Sequence, residues 1–82
     1  MTVHNVAVLG ASGRMGRNIV PLVAQSVDLH LSGALAADGD ASIGQDAGVI
    51  AGSAPLGVVI TSEAGRALEG AAVAIEIGRA HV

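Results

Sequence analysis

Eighty-two residues make one small domain at most, or a part of a larger one. A net charge of −3 with only four Lys plus Arg argues against nucleic acid or an anionic membrane surface as a partner. Hydrophobic residues reach 51%, but Phe, Tyr, Trp and Cys are all absent, so the core is thin and has no disulfide to reinforce it.

The first element carries the most information. Val6, Ala7, Val8 and Leu9 form a continuous apolar run, the pattern of a strand covered on both faces in a parallel sheet, and residues 5–9 are predicted as strand one. Gly10, Gly13 and Gly16 follow at GxxGxxG spacing. Gly10 suits a tight turn, Gly13 lets the backbone approach a ligand, and Gly16 lets the next helix pack closely. Such a turn leaves backbone N–H groups unpaired at the positive end of a helix dipole, where a pyrophosphate binds. The competing reading is a plain strand–turn–helix whose glycines serve geometry alone.

A helix is predicted over 14–26, with Met15, Ile19, Leu22 and Val23 at helical spacing and a kink at Pro21. Residues 28–36 alternate through Leu29, Leu31 and Leu35 towards a second strand. Residues 38–57, rich in Gly, Ala, Ser and Asp, read as a long loop with a helical turn around 47–51; loops of this length are functional or mobile. Residues 57–61 are the third strand, Ser62 is positioned to cap a short helix over 63–68, and 71–77 form the fourth strand. Strands alternating with helical segments imply parallel βαβ units. The predicted fold class is therefore α/β, a partial Rossmann-type doubly wound parallel sheet of about four strands, roughly half of a dinucleotide-binding fold.

In such folds an acidic residue about 20 positions past the glycines binds the adenosine ribose hydroxyls. Asp38, 22 residues after Gly16, has that spacing, and an ordinary turn aspartate is the competing reading. Asp46 is expected to hold its loop through local backbone hydrogen bonds. Arg17, Glu63 and Arg66 read as solvated helix-face charges. His4 and His30 are isolated, so no metal site is expected, and no Ser/His/Asp set suggests nucleophilic catalysis. The N-terminus MTVHNVAVLG lacks the basic and long apolar regions of a secretory signal, and no apolar run approaches a membrane span. With no cysteine, the expectation is a cytoplasmic chain without membrane or nucleic-acid contacts.

The segment GASGRMGR at 10–17 resembles the dihydrodipicolinate reductases (4-hydroxy-tetrahydrodipicolinate reductases) of the diaminopimelate route to lysine. IGQDAGVIAG at 43–52 is similar to that family's Gly-x-Asp-Ala-Gly segment, and GVVITSE at 57–63 to its third strand. The resemblance runs to about residue 75. It implies NADPH or NADH as cofactor, a small-molecule substrate and a homotetrameric complete enzyme. It also implies that Gly10, Ala11, Ser12, Gly13, Arg14 and Met15 form the nucleotide-binding loop, with Gly16 at its end. By the same resemblance Arg14 lies near the phosphates or the adenosine ribose, and Met15 packs while its backbone borders the cofactor. Ser12 is a phosphate donor, a helix cap, or both.

One departure concerns the cofactor. Where many family members carry an acidic residue followed by arginine after strand two, this chain has Ala36 and Ala37. Those family side chains contact the ribose hydroxyls and the 2′-phosphate of NADPH, so the preference between NADH and NADPH stays open, with Asp38 and Arg14 as candidate substitutes. Loss of the basic residue predicts use of NADH at least comparable to NADPH.

A second departure concerns the end of the chain. The family continues strand four into an acidic residue and Phe-Thr, whereas EIGRAHV at 76–82 resembles the in-frame translation of a common sequencing adapter. The expected organisation is residues 1–75 as the N-terminal part of a dinucleotide-binding domain, truncated before a C-terminal substrate domain, and 76–82 as a non-native tail. The family's general acid and substrate ligands lie in that C-terminal domain, so no catalytic residue is expected here and the piece alone is expected to be inactive. Two other readings stand beside this one. The first is another NAD(P)-dependent oxidoreductase with a GASG loop, of semialdehyde dehydrogenase type, which a nucleophilic cysteine downstream would favour. The second is a non-enzymatic nucleotide- or CoA-binding module.

Overall fold

The computed structural model describes residues 3–76. In chain order the elements are β1 (His4–Leu9), α1 (Arg14–Gln25), β2 (Leu29–Leu35), α2 (Ala47–Ile50), β3 (Ile60–Thr61), α3 (Ala64–Leu68) and β4 (Val73–Glu76). All strand pairings in the sheet are parallel and the order is β3-β2-β1-β4. The apolar run of β1 lies inside this sheet with Val6, Ala7 and Val8 fully enclosed, as a doubly covered strand requires.

Period-two alternation divides β1 between two faces. Val6 and Val8 pack with Val20 and Val23 of α1, Leu31, Ala34 and Ile60 in the main core. The opposite face carries α3, whose Ala67 backbone fills the space a side chain at Gly33 would need. Helices on both faces make the sheet doubly wound. The β1–β2 register slips between Val6 and Ala7, so Ser32 is an extra residue in β2 and its hydroxyl donates to the Val6 carbonyl at 3.3 Å. This bulge explains why Leu31 and Ala34, an odd number of positions apart, share one core.

Several predicted boundaries shift for identifiable reasons. The helix at 14–26 ends at Gln25 and passes through Pro21 as one element; Val20 and Val23, buried on either side of the proline, anchor it. The third strand contracts from 57–61 to Ile60–Thr61. Residues 57–59 are claimed by the preceding loop: the Ala47 N–H donates to the Val58 carbonyl and Asp46 bridges Val59 in antiparallel fashion. Ser62 does not cap α3; Glu63 occupies the N-cap with no side-chain bond, and the Thr61 hydroxyl instead accepts from the Glu63 N–H. The fourth strand starts at Val73 and is described to Glu76, so the last residue of the 71–77 prediction and residues 77–82 of the tail lie outside the described residues.

Candidate functional site

The turn between β1 and α1 is built almost entirely from backbone. Gly10 has φ of +83°, a conformation that glycine alone adopts readily. The Gly10 and Ala11 N–H groups both donate to the Leu35 carbonyl, at 2.8 and 3.0 Å, which ties the turn to the end of β2. Gly13 is the N-cap of α1, its N–H donating to the Gly10 carbonyl at 3.1 Å and its own carbonyl accepting from Arg17 N–H at 2.9 Å. A side chain at Gly16 would strike the Gly10 carbonyl and the Ala11 backbone, so this glycine lets the helix close onto the turn itself. A β-carbon at Gly13 would meet only the Gly10 oxygen, at 3.4 Å. Among the described residues the N–H groups of Ser12, Arg14, Met15 and Gly16 have no acceptor. They form a donor set at a helix N-terminus, an arrangement suited to an anion.

The side chains around the turn divide differently from expectation. Ser12 does not cap the helix, because Gly13 takes the N-cap position one residue later. Its hydroxyl donates to Asp40 Oδ2 at 2.9 Å, while Asp40 Oδ1 accepts from the Ser42 N–H and hydroxyl at 2.8 and 2.6 Å. These bonds, the Ser42 hydroxyl foremost, then the Ser42 N–H and the Ser12 hydroxyl, hold the Asp40 carboxyl below its ordinary pKa, and the charge of Arg17 adds to the effect. Arg17 is not merely solvated, since its Nε donates to the Ser12 carbonyl at 2.9 Å. Met15 does not pack: Gly16, Val20 and Val23 take the buried face of α1, and Met15 is 57% exposed. Arg14 is exposed at the start of α1.

Asp38 is exposed, and no hydrogen bond or ion pair holds it among the described residues. The chain reverses at Gly39, with φ of +84°, and delivers Asp40 rather than Asp38 to the glycine turn. Asp40 was missed because spacing counts residues along the chain and cannot see that reversal. The glycine between two aspartates in ADGD was the available signal.

Asp46 holds its loop as its sequence setting predicts. Its Oδ1 accepts from the N–H groups of Gly48, Val49 and Leu56, at 2.8, 3.3 and 3.0 Å, and its Oδ2 from Gly57 at 2.7 Å. The Leu56 N–H contributes most to holding this carboxyl below its ordinary pKa; the cost of burial opposes it, and the N–H groups of Gly57, Gly48 and Val49 add to the lowering. A groove of about 390 Å³ lined by Gly33, Thr61, Arg66 and Glu69 runs beside α3 and shares no residue with the glycine turn. No helix of the described residues is long and apolar enough to cross a membrane. Among the described residues no group of three or more His, Cys, Asp or Glu is placed to hold a metal ion.

Parallel strands, helices on both faces and a glycine turn at the carboxyl end of the first strand define a partial Rossmann-type α/β fold. The profile of the family described as dihydrodipicolinate reductase, N-terminus, matches residues 4–82, and the chain belongs to that family. It is similar to a 4-hydroxy-tetrahydrodipicolinate reductase of Anaeromyxobacter dehalogenans (strain 2CP-C), 48% identical over 71 residues, covering 87% of this chain and 26% of the relative. A protein of the same name from Rhizobium meliloti is 45% identical over 67 residues, 82% of this chain and 28% of that one. Another from Nitrosomonas eutropha is 44% identical over 79 residues, 96% of this chain and 29% of that one. The chain thus spans 26–29% of the length of these relatives.

Proposed function

We propose that this chain is the N-terminal part of the nucleotide-binding domain of a 4-hydroxy-tetrahydrodipicolinate reductase, with residues 1–75 native to it and residues 76–82 a non-native tail. The observation that carries the reading is the set of four N–H groups with no acceptor among the described residues at the start of a twelve-residue helix, in a chain of this family. That donor set suits a pyrophosphate, and Gly13 keeps the space before it clear of side chain. When bound, NADH or NADPH supplies the hydride that reduces the cyclic imine or enamine formed as the substrate loses water, giving tetrahydrodipicolinate.

The residues of this chain bind and orient. Gly10, Ala11, Gly13, Met15 and Gly16 contribute backbone, Ser12 contributes its N–H while its hydroxyl holds Asp40, and Arg14 adds a charge beside the phosphates. The segment after β2 flanks the adenosine ribose, and Asp40 is the carboxylate it holds against the turn. Proton donation and capture of the substrate carboxylates belong to a C-terminal domain, and the complete enzyme is a homotetramer. Nothing in this proposal requires nucleic acid or a membrane, and the setting is cytoplasmic.

The test uses the full-length protein carrying this segment and 4-hydroxy-tetrahydrodipicolinate generated in situ, with oxidation of NADH or NADPH followed by absorbance. Substrate-dependent oxidation is expected, and its absence with both nucleotides sinks the reading. Residues 1–75 expressed alone are expected to show no turnover and to associate. Among the described strands β4 is an edge, and its Val73 is 49% exposed. A monomeric fragment in sedimentation, or measurable turnover by it, would contradict this part of the proposal.

A further inference from the structure

We infer that Asp40, fastened to the glycine turn by Ser12, sets the nucleotide preference of this site, accepting the free adenosine ribose of NADH and rejecting the 2′-phosphate of NADPH. The inference rests on the nucleotide-binding reading above and deepens it. The two residues that directly follow β2, Ala36 and Ala37, offer neither a carboxylate for a ribose hydroxyl nor a cation for a phosphate. The reversal at Gly39 brings Asp40 back over the turn, where its Oδ2 accepts from the Ser12 hydroxyl at 2.9 Å. Ser12 lies between Gly10 and Gly13, so this carboxylate is fixed beside the N–H groups suited to the pyrophosphate.

The bonds to Asp40 divide between its two oxygens. Oδ1 is occupied by both donors of Ser42, whose side chain is buried, while Oδ2 takes the single Ser12 donor. A carboxylate oxygen accepts two hydrogen bonds, so Oδ2 retains one acceptor direction for a ribose hydroxyl. A 2′-phosphate in that place would bring a second anion against the first and no donor to share. Arg17 does not offset this. Its Nε is committed to the Ser12 carbonyl at 2.9 Å, and its charge is already opposed by Asp40. Asp38 is exposed and untethered by any bond among the described residues, so it holds no fixed position toward the ribose.

Binding of NADH and NADPH to the full-length protein carrying this segment, measured by calorimetric titration, tests the inference. The unmodified protein is expected to bind NADH at least about tenfold more tightly than NADPH. Asp40→Asn should bring the two within about threefold, mainly by tightening NADPH, and Asp40→Glu should keep the preference because it keeps the charge. Asp38→Asn should leave the ratio unchanged. An unaltered ratio in Asp40→Asn, or NADPH bound as tightly as NADH by the unmodified protein, overturns the inference while leaving the nucleotide-binding reading in place. NADPH preference abolished by Arg14→Ala would overturn it too and assign the 2′-phosphate to that arginine. Failure to bind either nucleotide would instead remove the underlying reading.

Discussion

The turn at residues 10–16 and the loop at residues 46–57 each gather backbone N–H groups around a place suited to an anion, but only the second contains its anion. Asp46 places a carboxylate among the N–H groups of Gly48, Val49, Leu56 and Gly57. In the turn, four N–H groups have no acceptor among the described residues. Each region also has one glycine with no room for a side chain: Gly16 against the Gly10 and Ala11 backbone, Gly48 against the Ala54 carbonyl and the Leu56 side chain. Close packing is therefore common to both and does not separate them. What separates them is whether the chain satisfies its own donors.

Substitutions sharpen that distinction, and the largest effects fall on what the regions share. Gly16→Val should cost about 3 kcal/mol or more, because the obstacle is backbone that cannot rotate away. Denaturant unfolding of the full-length protein measures this, and a variant of unchanged stability would mean the turn is looser than described. Gly13→Val separates binding from folding. Gly13 has φ −72° and ψ 169°, a region any residue adopts, so the fold should survive. The nicotinamide cofactor KM should rise about 10- to 100-fold, or ~1.4–2.7 kcal/mol. A folded Gly13→Val variant with normal cofactor affinity would remove the phosphate assignment.

Asp46 titration examines the self-satisfied loop. Its folded pKa lies below the ordinary value of 3.8, so its contribution is fully present above that value and is lost as pH falls through the folded one. Asp46→Asn should lower Tm at neutral pH by roughly 5 °C and flatten the acid side of the stability profile. Asp40 is shifted in the same direction and should contribute to the same window, so an Asp40→Asn control is needed alongside. An acid profile in Asp46→Asn identical to that of the unmodified protein would show that the carboxylate does not anchor the loop. The smallest change belongs to Gln45→Ala. Among the described residues its exposed amide donates only to the Ala41 carbonyl, at 3.1 Å, and stability should stay within about 0.5 kcal/mol in a thermal melt.

The legible features were those in which residue type and backbone geometry are the same fact. Gly10 and Gly16 could be read because a positive φ and a helix closing on a turn both exclude side chains. The burial of Val6 to Val8 followed from an unbroken apolar run, and the Asp46 loop from an aspartate next to small residues. Competition between segments was not legible. Val58 and Val59 have strand character, yet their backbone is engaged by residues 46 and 47, which shortens β3. Ser12 reads as a phosphate donor, a cap, or both until the helix is seen to start one residue later and its hydroxyl to face Asp40. Ser32 left no mark at all, since a bulge depends on the partner strand as much as on its own residue.

The Leu35 carbonyl, holding the N–H groups of both Gly10 and Ala11, makes the spacing between the glycine turn and the end of β2 a property of backbone alone. Substitution can rewrite the exposed or half-buried side chains of Ala37, Asp38 and Asp40 without altering that distance, while buried Ala36 and the positive-φ Gly39 stay. On the proposed reading, the fold thereby separates a fixed gauge from an interchangeable reading head. On that reading, a lineage could exchange one nucleotide for another through Ala37, Asp38 and Asp40 while the turn stayed as it is.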